Sequence, residues 1–190
     1  DDVAGALTRL ADALDAPAAA TTAREVTAVS PDGPLTPASV AGVLAECLPE
    51  GAIVSDEAAT TGLPSFVGAA VACPARHVIA LQADGSGLYT LQALWTMARE
   101  QLDVTTVIFN NGSYAILNIE LARVGLADVG NTARSLLDLT QPAIDWTTLS
   151  TSLGVAATRV TTTAEYRSAL TDALAVRGPR LIEVMVAPRA

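Results

Sequence analysis

Lysine is absent from this chain, and histidine is almost absent. All 11 basic residues are arginine, and His77 is the one histidine among 190 residues. Without lysine, the chain can form no Schiff base and no phosphate-binding loop that depends on a lysine. A single imidazole excludes a metal centre built from several histidines, and any Ser-His-Asp triad would have to use it.

Positive charge, cysteine and long apolar runs are also scarce. The net charge is −9, which argues against nucleic acid or an anionic membrane as the main partner. No apolar run approaches the roughly 18 residues needed to span a bilayer, and Asp1, Asp2 and Val3 lack the pattern of a signal peptide. Cys47 and Cys73 lie in apolar helical patterns, which indicates buried thiols rather than a disulfide. We therefore expect a cytoplasmic protein without a membrane segment.

Apolar residues are abundant, at 51% of the chain, and this content predicts a well-filled core. Residues 1–16 have leucines and a valine at helical spacing, and 17–34 are rich in Ala, Thr, Pro and Gly. We expect residues 1–16 to be the helical end of a preceding domain, residues 17–34 to be a linker, and residues 35–190 to be a separate domain.

Helices and apolar strands alternate from Leu35 onward. The pattern predicts helices at 36–48, 63–73, 88–101, 114–124, 145–153 and 163–177, and strands at 52–55, 77–83, 104–109, 155–160 and 181–186. Continuous apolar strands separated by helices are typical of a parallel sheet that is covered on both faces. The predicted fold class is therefore α/β, with a doubly wound, mostly parallel sheet.

Two polar turns follow neighbouring predicted strands. Asp84 begins the sequence Asp-Gly-Ser-Gly after one strand, and Asn110 begins Asn-Asn-Gly-Ser after the next. The helix between them rises roughly 20 Å, and the returning strand runs roughly 20 Å the other way. Asn111 should therefore return to the same sheet edge as Asp84, at the carboxyl ends of the strands, where doubly wound sheets bind ligands.

This pair of turns suits a metal ion and a phosphate. Carboxylate and carboxamide oxygens are ligands for Mg²⁺ or Ca²⁺, and Mg²⁺ usually completes its shell with water and substrate phosphates. Gly85, Ser86 and Gly87 lie at a predicted helix N-terminus, which favours a phosphate. Either turn alone is an ordinary structural turn. Together, at this spacing, they predict a site for a diphosphate and Mg²⁺.

The two turns resemble the diphosphate-binding motif of thiamine-diphosphate enzymes, which begins Gly-Asp-Gly and ends in Asn or Asn-Asn. Here the motif reads Ala83-Asp84-Gly85, then 24 residues, then Asn110-Asn111. The likeness to acetolactate-synthase-like enzymes and benzoylformate decarboxylases covers about 35–188 and is carried by 83–117, by 62–74 and by the tail Gly-Pro-Arg-Leu-Ile-Glu-Val-Met-Val.

The resemblance implies thiamine diphosphate and Mg²⁺ as cofactors. It places Mg²⁺ on Asp84, on the side chain of Asn111 and on the backbone carbonyl of Ser113. The residues it places on the cofactor are Ala59, Thr60, Asp84, Gly85, Ser86, Asn111, Ser113, Tyr114 and Ala115. It implies no catalytic side chain in this chain, because the family's activating glutamate lies in a separate pyrimidine-binding domain. The expected partner is that domain of a second subunit, in a homodimer or homotetramer, and the chain alone should be inactive.

The implied reaction is decarboxylation of a small 2-oxo acid, with or without ligation of the product to a second carbonyl compound, as in acetolactate synthases. Two alternatives stay open: a benzoylformate-type decarboxylase, and a non-catalytic module that binds the cofactor. Acetolactate synthases usually continue the motif with Gly-Met-Val-Arg, whereas this chain reads Tyr-Ala-Ile-Leu-Asn at 114–118. A loop usual in the family is also missing between Thr61 and Gly62, and we expect a chain break or a mobile loop there.

Four other side chains are expected to be structural. His77 should lie at the surface or at a sheet edge, since no acidic neighbour in sequence could orient it as in a triad. Trp95 and Met97 should pack in the core, and Trp146 should anchor the start of a helix.

Overall fold

A five-stranded parallel sheet forms the centre of the protein. The computed structural model describes residues 3–13, 30, 33–56, 62–126 and 130–187. Its strands are β1 (Ile53–Asp56), β2 (Val78–Ala83), β3 (Val104–Asn110), β4 (Ala156–Val160) and β5 (Arg180–Met185). Their order is β1-β2-β3-β5-β4, and every neighbouring pair is parallel.

Of the helices that the structure describes, two precede β1, and the others lie in the connections between strands. The helices are α1 (Val3–Ala13), α2 (Pro37–Cys47), α3 (Pro64–Ala72), α4 (Asp84–Gly87), a 3₁₀ turn at Leu88–Thr90, α5 (Gln92–Arg99), α6 (Ala115–Arg123), α7 (Asn131–Ser135), α8 (Trp146–Ser152) and α9 (Thr163–Leu174). Thr36 caps α2, since its Oγ1 accepts a hydrogen bond from Ser39 N at 3.1 Å and Pro37 begins the helix.

Both faces of the sheet are covered, which confirms the predicted fold class. One core lies between the sheet and α3, α5 and α8, and the other lies between the sheet and α2 and α9. Val78 and Ala80 of β2 point into the first core, and Ile79 between them points into the second. Burial on both faces explains why the central strands read as continuous apolar runs.

The predicted helix 88–101 differs from the structure. Helical backbone begins at Asp84, passes through the 3₁₀ turn and continues as α5 to Arg99. Glycines at two positions of α4 have low helix propensity, which is consistent with so short a helix. Gly87 is needed for packing, because a Cβ there would lie 2.7 Å from Cη2 of Trp146.

Met97 and Trp146 are fully buried, as predicted, but the prediction for Trp95 is wrong. Its side chain is 51% exposed, and the Arg99 guanidinium lies 5.5 Å from its ring centre. Leu94 and Met97 are three positions apart and face the sheet, so Trp95, which follows Leu94 on α5, points outward.

Several predictions fall outside the described residues. Residues 14–29 and 57–61 are not described, so the proposed linker and the expected chain break at Thr61 stay predictions. No helix in the described part of the chain is long and apolar enough to cross a membrane. Cys47 and Cys73 are free thiols and are half-buried rather than fully buried.

The register of the two central strands brings the two polar turns together. Ala83 at the end of β2 pairs with Phe109 of β3. Asp84 and Asn110 therefore leave the sheet side by side at its carboxyl edge, as the spacing predicted.

Candidate functional site

Asp84 is a buried carboxylate that joins the two polar turns. It is 1% exposed. Its Oδ1 accepts a hydrogen bond from Gly85 N at 2.8 Å. Its Oδ2 accepts from Asn111 N at 3.1 Å and from Gly112 N at 2.8 Å. The structure thus brings Asp84 and the Asn111 backbone together, and three backbone N–H groups hold the carboxylate in place.

The charge of Asp84 has no positive partner among the described side chains. Burial raises the pKa of Asp84 above its ordinary value, and hydrogen bonds from Gly85, Gly112 and Asn111 oppose that rise because they stabilise the anion. None of the ion pairs within the described residues includes this carboxylate. A buried charge without a counter-charge is costly. A bound cation would supply the missing positive charge.

The side chain of Asn111 lies at the open end of its turn and is partly exposed. Its Oδ1 accepts hydrogen bonds from Ser113 N at 2.9 Å and from Ser113 Oγ at 3.3 Å. The carbonyl of Ser113 accepts from Ala115 N at 2.8 Å. That carbonyl keeps a second lone pair, and the longer hydroxyl contact to Asn111 can give way to a ligand. Both oxygens therefore remain able to coordinate a cation.

Gly112 makes the turn geometrically possible. Its φ of +68° is in the left-handed region that favours glycine. A Cβ at this position would also lie 2.9 Å from Cγ2 of Thr140. The turn is braced from outside, because Leu139 N donates to Gly112 O at 2.8 Å.

Tyr114 lies directly on the backbone of Gly85. A Cβ added to Gly85 would meet Cε1 of the ring at 2.6 Å and Cδ1 at 2.7 Å. Burial is the largest cause that raises the pKa of Tyr114, and the neighbouring hydroxyl of Tyr89 is the next. Because the N–H of Gly85 donates to Asp84, this glycine presents neither an open face nor a free donor to a phosphate. A ligand that contacts Gly85 must displace one of these groups.

Ser86 is held by a residue that sequence reasoning missed. Its hydroxyl donates to Oε1 of Gln82, and the same oxygen accepts from Ala83 N at 2.9 Å. Gln82 is fully buried at the end of β2. A glutamine inside the apolar run Val-Ile-Ala-Leu-Gln-Ala was the signal that could have indicated it.

Three other predicted site residues have different outcomes. Ala59 and Thr60 lie outside the described residues. Ala115 begins α6 and is half-buried beside the turn.

A second missed residue lies behind the Asn110–Asn111 turn. Glu183 is fully buried on β5, and its Oε1 accepts from Asn110 Nδ2 at 2.7 Å. A lone carboxylate in the apolar run Leu-Ile-Glu-Val-Met-Val was its sequence signal.

His77 lies at a sheet edge, as expected, but the reason given for that expectation is wrong, because an acidic side chain does orient its ring. The side chain is 11% exposed, and its Nδ1 lies 3.1 Å from Oδ1 of Asp103. Because a carboxylate only accepts, Nδ1 is assigned the proton, and Nε2 accepts from the Thr105 hydroxyl at 2.8 Å. Asp103 is distant in sequence, so no local pattern showed it. Thr105 is fully buried, and the three residues lie at the sheet edge opposite Asp84. They therefore form a structural cluster.

The donor set at Asp84 suits one kind of metal site. Within the described residues, no group of three or more His, Cys, Asp or Glu side chains could hold a metal ion. A cation here would depend on one carboxylate, one carboxamide and one carbonyl oxygen, plus oxygens of a ligand. That mixed oxygen set fits Mg²⁺ bound together with a phosphate group. A cavity of about 580 Å³ lies over β4 and α9, and none of the predicted site residues lines it. The candidate site at Asp84 is therefore located by the chemistry of its side chains and not by a cavity.

A comparison with protein families identifies the chain. Residues 57–184 match the model of the thiamine pyrophosphate enzymes' C-terminal domain, which binds thiamine pyrophosphate. The chain belongs to this family. The resemblance inferred from the two turns is therefore confirmed, and the chain is a cofactor-binding domain of thiamine pyrophosphate enzymes.

Individual relatives agree with this assignment. A Mycobacterium tuberculosis protein named after the large subunit of acetolactate synthase is 43% identical over 210 residues, which covers 96% of this chain and 41% of that protein. Benzoylformate decarboxylase of Pseudomonas aeruginosa is 36% identical over 123 residues, covering 65% of this chain and 22% of the enzyme. The structure of a thiamine diphosphate-dependent 4-hydroxybenzoylformate decarboxylase from Rhodococcus jostii superposes with a TM-score of 0.73 at 29% identity, covering 87% of this chain and 35% of that one. The chain thus spans about two fifths or less of the length of these relatives.

Proposed function

We propose that this domain binds thiamine diphosphate through Mg²⁺, with Asp84, Asn111 Oδ1 and the Ser113 carbonyl as the protein ligands. The observation that carries the proposal is the buried carboxylate of Asp84, which has no positive partner among the described residues and lies against the Asn111 turn. As the family resemblance implies, further residues are proposed to contact the cofactor: Ser86, Tyr114, Ala115 and the undescribed pair Ala59 and Thr60. Gly85 is also proposed as a contact, which requires that the Tyr114 ring or the Asp84 carboxylate move away from it.

The residues of this chain hold and orient the cofactor. Three N–H groups hold the Asp84 carboxylate in place and favour its anionic form, so the metal ligand is preorganised before a cation arrives. When bound, thiamine diphosphate supplies the electron sink for the loss of CO₂ from a 2-oxo acid. Within this chain, the proposed roles are metal ligation and cofactor positioning.

We further propose that the whole enzyme is acetolactate-synthase-like, decarboxylating a 2-oxo acid and ligating the product to a second carbonyl compound. The greater identity and coverage of the relative named after acetolactate synthase support this choice. The likeness to a 4-hydroxybenzoylformate decarboxylase supports a benzoylformate-type decarboxylase as the second candidate. The free thiols of Cys47 and Cys73 support a reducing, cytoplasmic compartment.

Helix α6, which follows the Asn111 turn, supports the proposed partner. None of its nine residues is buried, although Ile116, Leu117 and Ile119 are apolar and 59%, 47% and 40% exposed. Leu136 nearby in the chain is 74% exposed. An apolar helix beside a cofactor site needs cover. We propose that the pyrimidine-binding domain of a second subunit covers it, in a homodimer or homotetramer, and contributes the activating glutamate.

Calorimetry on the 190-residue chain tests cofactor binding. Thiamine diphosphate should bind in the presence of Mg²⁺ and lose measurable affinity when EDTA removes the metal. Equal binding with and without the metal would refute the proposed ligand set. The same chain should turn over neither pyruvate nor benzoylformate. Turnover by the chain alone would show that the activating group lies within it.

Sedimentation velocity tests the proposed partner surface. Because α6 is uncovered, the chain should self-associate as its concentration rises, and Leu117→Glu should weaken this association. Val176→Glu is the matched control, since Val176 is also 47% exposed but lies beyond the end of α9. Equal association of both variants and the wild type would remove α6 from the interface.

A further inference from the structure

Glu183 is a buried carboxylate whose two oxygens have different partners. Its Oε1 accepts from Asn110 Nδ2 at 2.7 Å, and its Oε2 accepts from Arg159 Nε at 2.8 Å. Glu183 is fully buried, whereas the Arg159 side chain is 43% exposed and reaches it from the neighbouring strand β4. The guanidinium also donates to Asp145 Oδ1 at 3.1 Å. The buried charge is thus neutralised from the surface side, and the Asn110 amide lies on its other side.

This arrangement selects one orientation of the Asn110 amide. A carboxylate can only accept, so the NH₂ group of Asn110 must face Glu183 and its Oδ1 must face away. Oδ1 then accepts from Gly112 N at 3.0 Å. In the flipped orientation, two donors would oppose each other at Gly112, and two acceptors would oppose each other at Glu183. Glu183 therefore determines which end of the Asn110 amide faces the turn, where the amide oxygen accepts from Gly112 N.

The same N–H of Gly112 is a donor to the proposed metal ligand. It reaches Asp84 Oδ2 at 2.8 Å as well as Asn110 Oδ1. A turn that is held from Asn110 thus keeps both the Gly112 donor and the Asn111 carboxamide in place against Asp84. Glu183 itself makes no contact with Asp84 among the hydrogen bonds of the described residues.

We propose that Glu183 is a positioning residue of the cofactor site, acting through Asn110 to hold the Asn111–Gly112 turn against Asp84. Arg159 gives the buried carboxylate a positively charged partner. Replacing the ion pair of a buried carboxylate by apolar residues of similar size is often neutral or stabilising, so stability alone does not account for Glu183, and we attribute its presence to specificity of conformation. The positioning stands on the hydrogen bonds alone, and its effect on Mg²⁺ rests on the proposed function.

Amide hydrogen exchange tests the positioning without any cofactor. In the 190-residue chain, Glu183→Gln cannot accept from both Asn110 and Arg159, so one of these donors loses its acceptor. The Gly112 amide should then exchange at least about tenfold faster than in the wild type, as expected for loss of a charge-assisted hydrogen bond. The control is Glu100→Gln, which removes the same charge from an exposed ion pair with Arg99. Unchanged protection at Gly112 in Glu183→Gln would overturn the proposal.

A reciprocal exchange of the two groups provides a rescue. In the double variant Asn110→Asp with Glu183→Gln, the new amide donates to the new carboxylate, so the hydrogen bond between these two side chains is kept with its direction reversed. The donors Arg159 Nε and Gly112 N keep their acceptors with the direction unchanged. Protection of the Gly112 amide should return to the wild-type level. If Glu183→Gln alone does not fold, recovery of folding in the double variant supports the proposal. A double variant as impaired as the single variant overturns it.

Calorimetry then measures the effect on the site. Removing a residue that orients a metal ligand typically weakens metal affinity by about 10- to 100-fold, and Glu183→Gln should weaken Mg²⁺-dependent thiamine diphosphate binding by that factor. Unchanged affinity alongside faster exchange at Gly112 would overturn the link to the metal site. If the wild type itself does not bind, the proposed function fails, and the exchange experiment still decides the positioning.

Discussion

Replacing Asp84 with asparagine should abolish Mg²⁺-dependent binding of thiamine diphosphate in a chain that stays folded. Asparagine has the same shape, keeps one acceptor oxygen and removes the charge. If that oxygen keeps the hydrogen bonds from Asn111 and Gly112, the new NH₂ group faces the buried N–H of Gly85, and both donors lack an acceptor. Two such unpaired donors cost about 2–6 kcal/mol when about 1–3 kcal/mol is applied to each. Removal of a buried charge, whose burial raises the pKa of Asp84, offsets part of this cost.

Asp84→Ala would be a poorer test. It leaves three N–H groups without their acceptor, at a cost of about 3–9 kcal/mol when the same value is applied to each. That range reaches the whole free energy of unfolding of an ordinary domain, about 5–15 kcal/mol. Loss of binding by the alanine variant could therefore reflect unfolding, and only the asparagine variant separates the two effects.

Thermal unfolding with and without ligand is the assay. At a concentration about 100 times its Kd, a ligand stabilises the native state by about 2.7 kcal/mol. For a chain of this size, the wild-type Tm should therefore rise by roughly 5–11 °C with Mg²⁺ and thiamine diphosphate.

Asp84→Asn should show no such rise, and its own Tm should lie no more than roughly 24 °C below that of the wild type. The control Asp172→Asn, at an exposed position of α9, should respond to the ligand as the wild type does. An equal rise in Asp84→Asn would refute the role of Asp84 as a metal ligand.

Two further predictions concern the fold. Burial, opposed by Asp103, lowers the pKa of His77 below its unfolded value of about 6.5, so the unfolded chain takes up the proton first and stability falls as pH drops below about 7. Urea titrations should show a shallower fall in His77→Gln, and an identical slope would contradict the assignment. Gly87→Ala should lower the free energy of unfolding by about 1–3 kcal/mol because its Cβ meets Trp146, whereas Gly68→Ala, with no atom near its Cβ, should not destabilise. Equal effects of the two alanines would rule out this packing argument.

Local patterns in the sequence determined the architecture and predicted the place of the candidate site. Apolar runs separated by helical periodicity predicted a parallel sheet covered on both faces, because strands that are buried on both sides must be apolar throughout. The length of the connection between Asp84 and Asn111 predicted a shared sheet edge, because the rise of a helix and the advance of a strand are constants of the backbone. The apolar pattern and the length of this connection can both be read from the order of residues along the chain.

The tertiary structure alone decided which groups contact which. Glu183 lies 73 residues from Asn110, and Asp103 lies 26 residues from His77, so no local pattern could pair them. Only the strand order places β5 beside β3 and so brings the Glu183 carboxylate to the amide of Asn110. The physical reason is that a hydrogen bond forms only within a narrow range of distances and angles. The arrangement of the strands and turns sets these distances and angles.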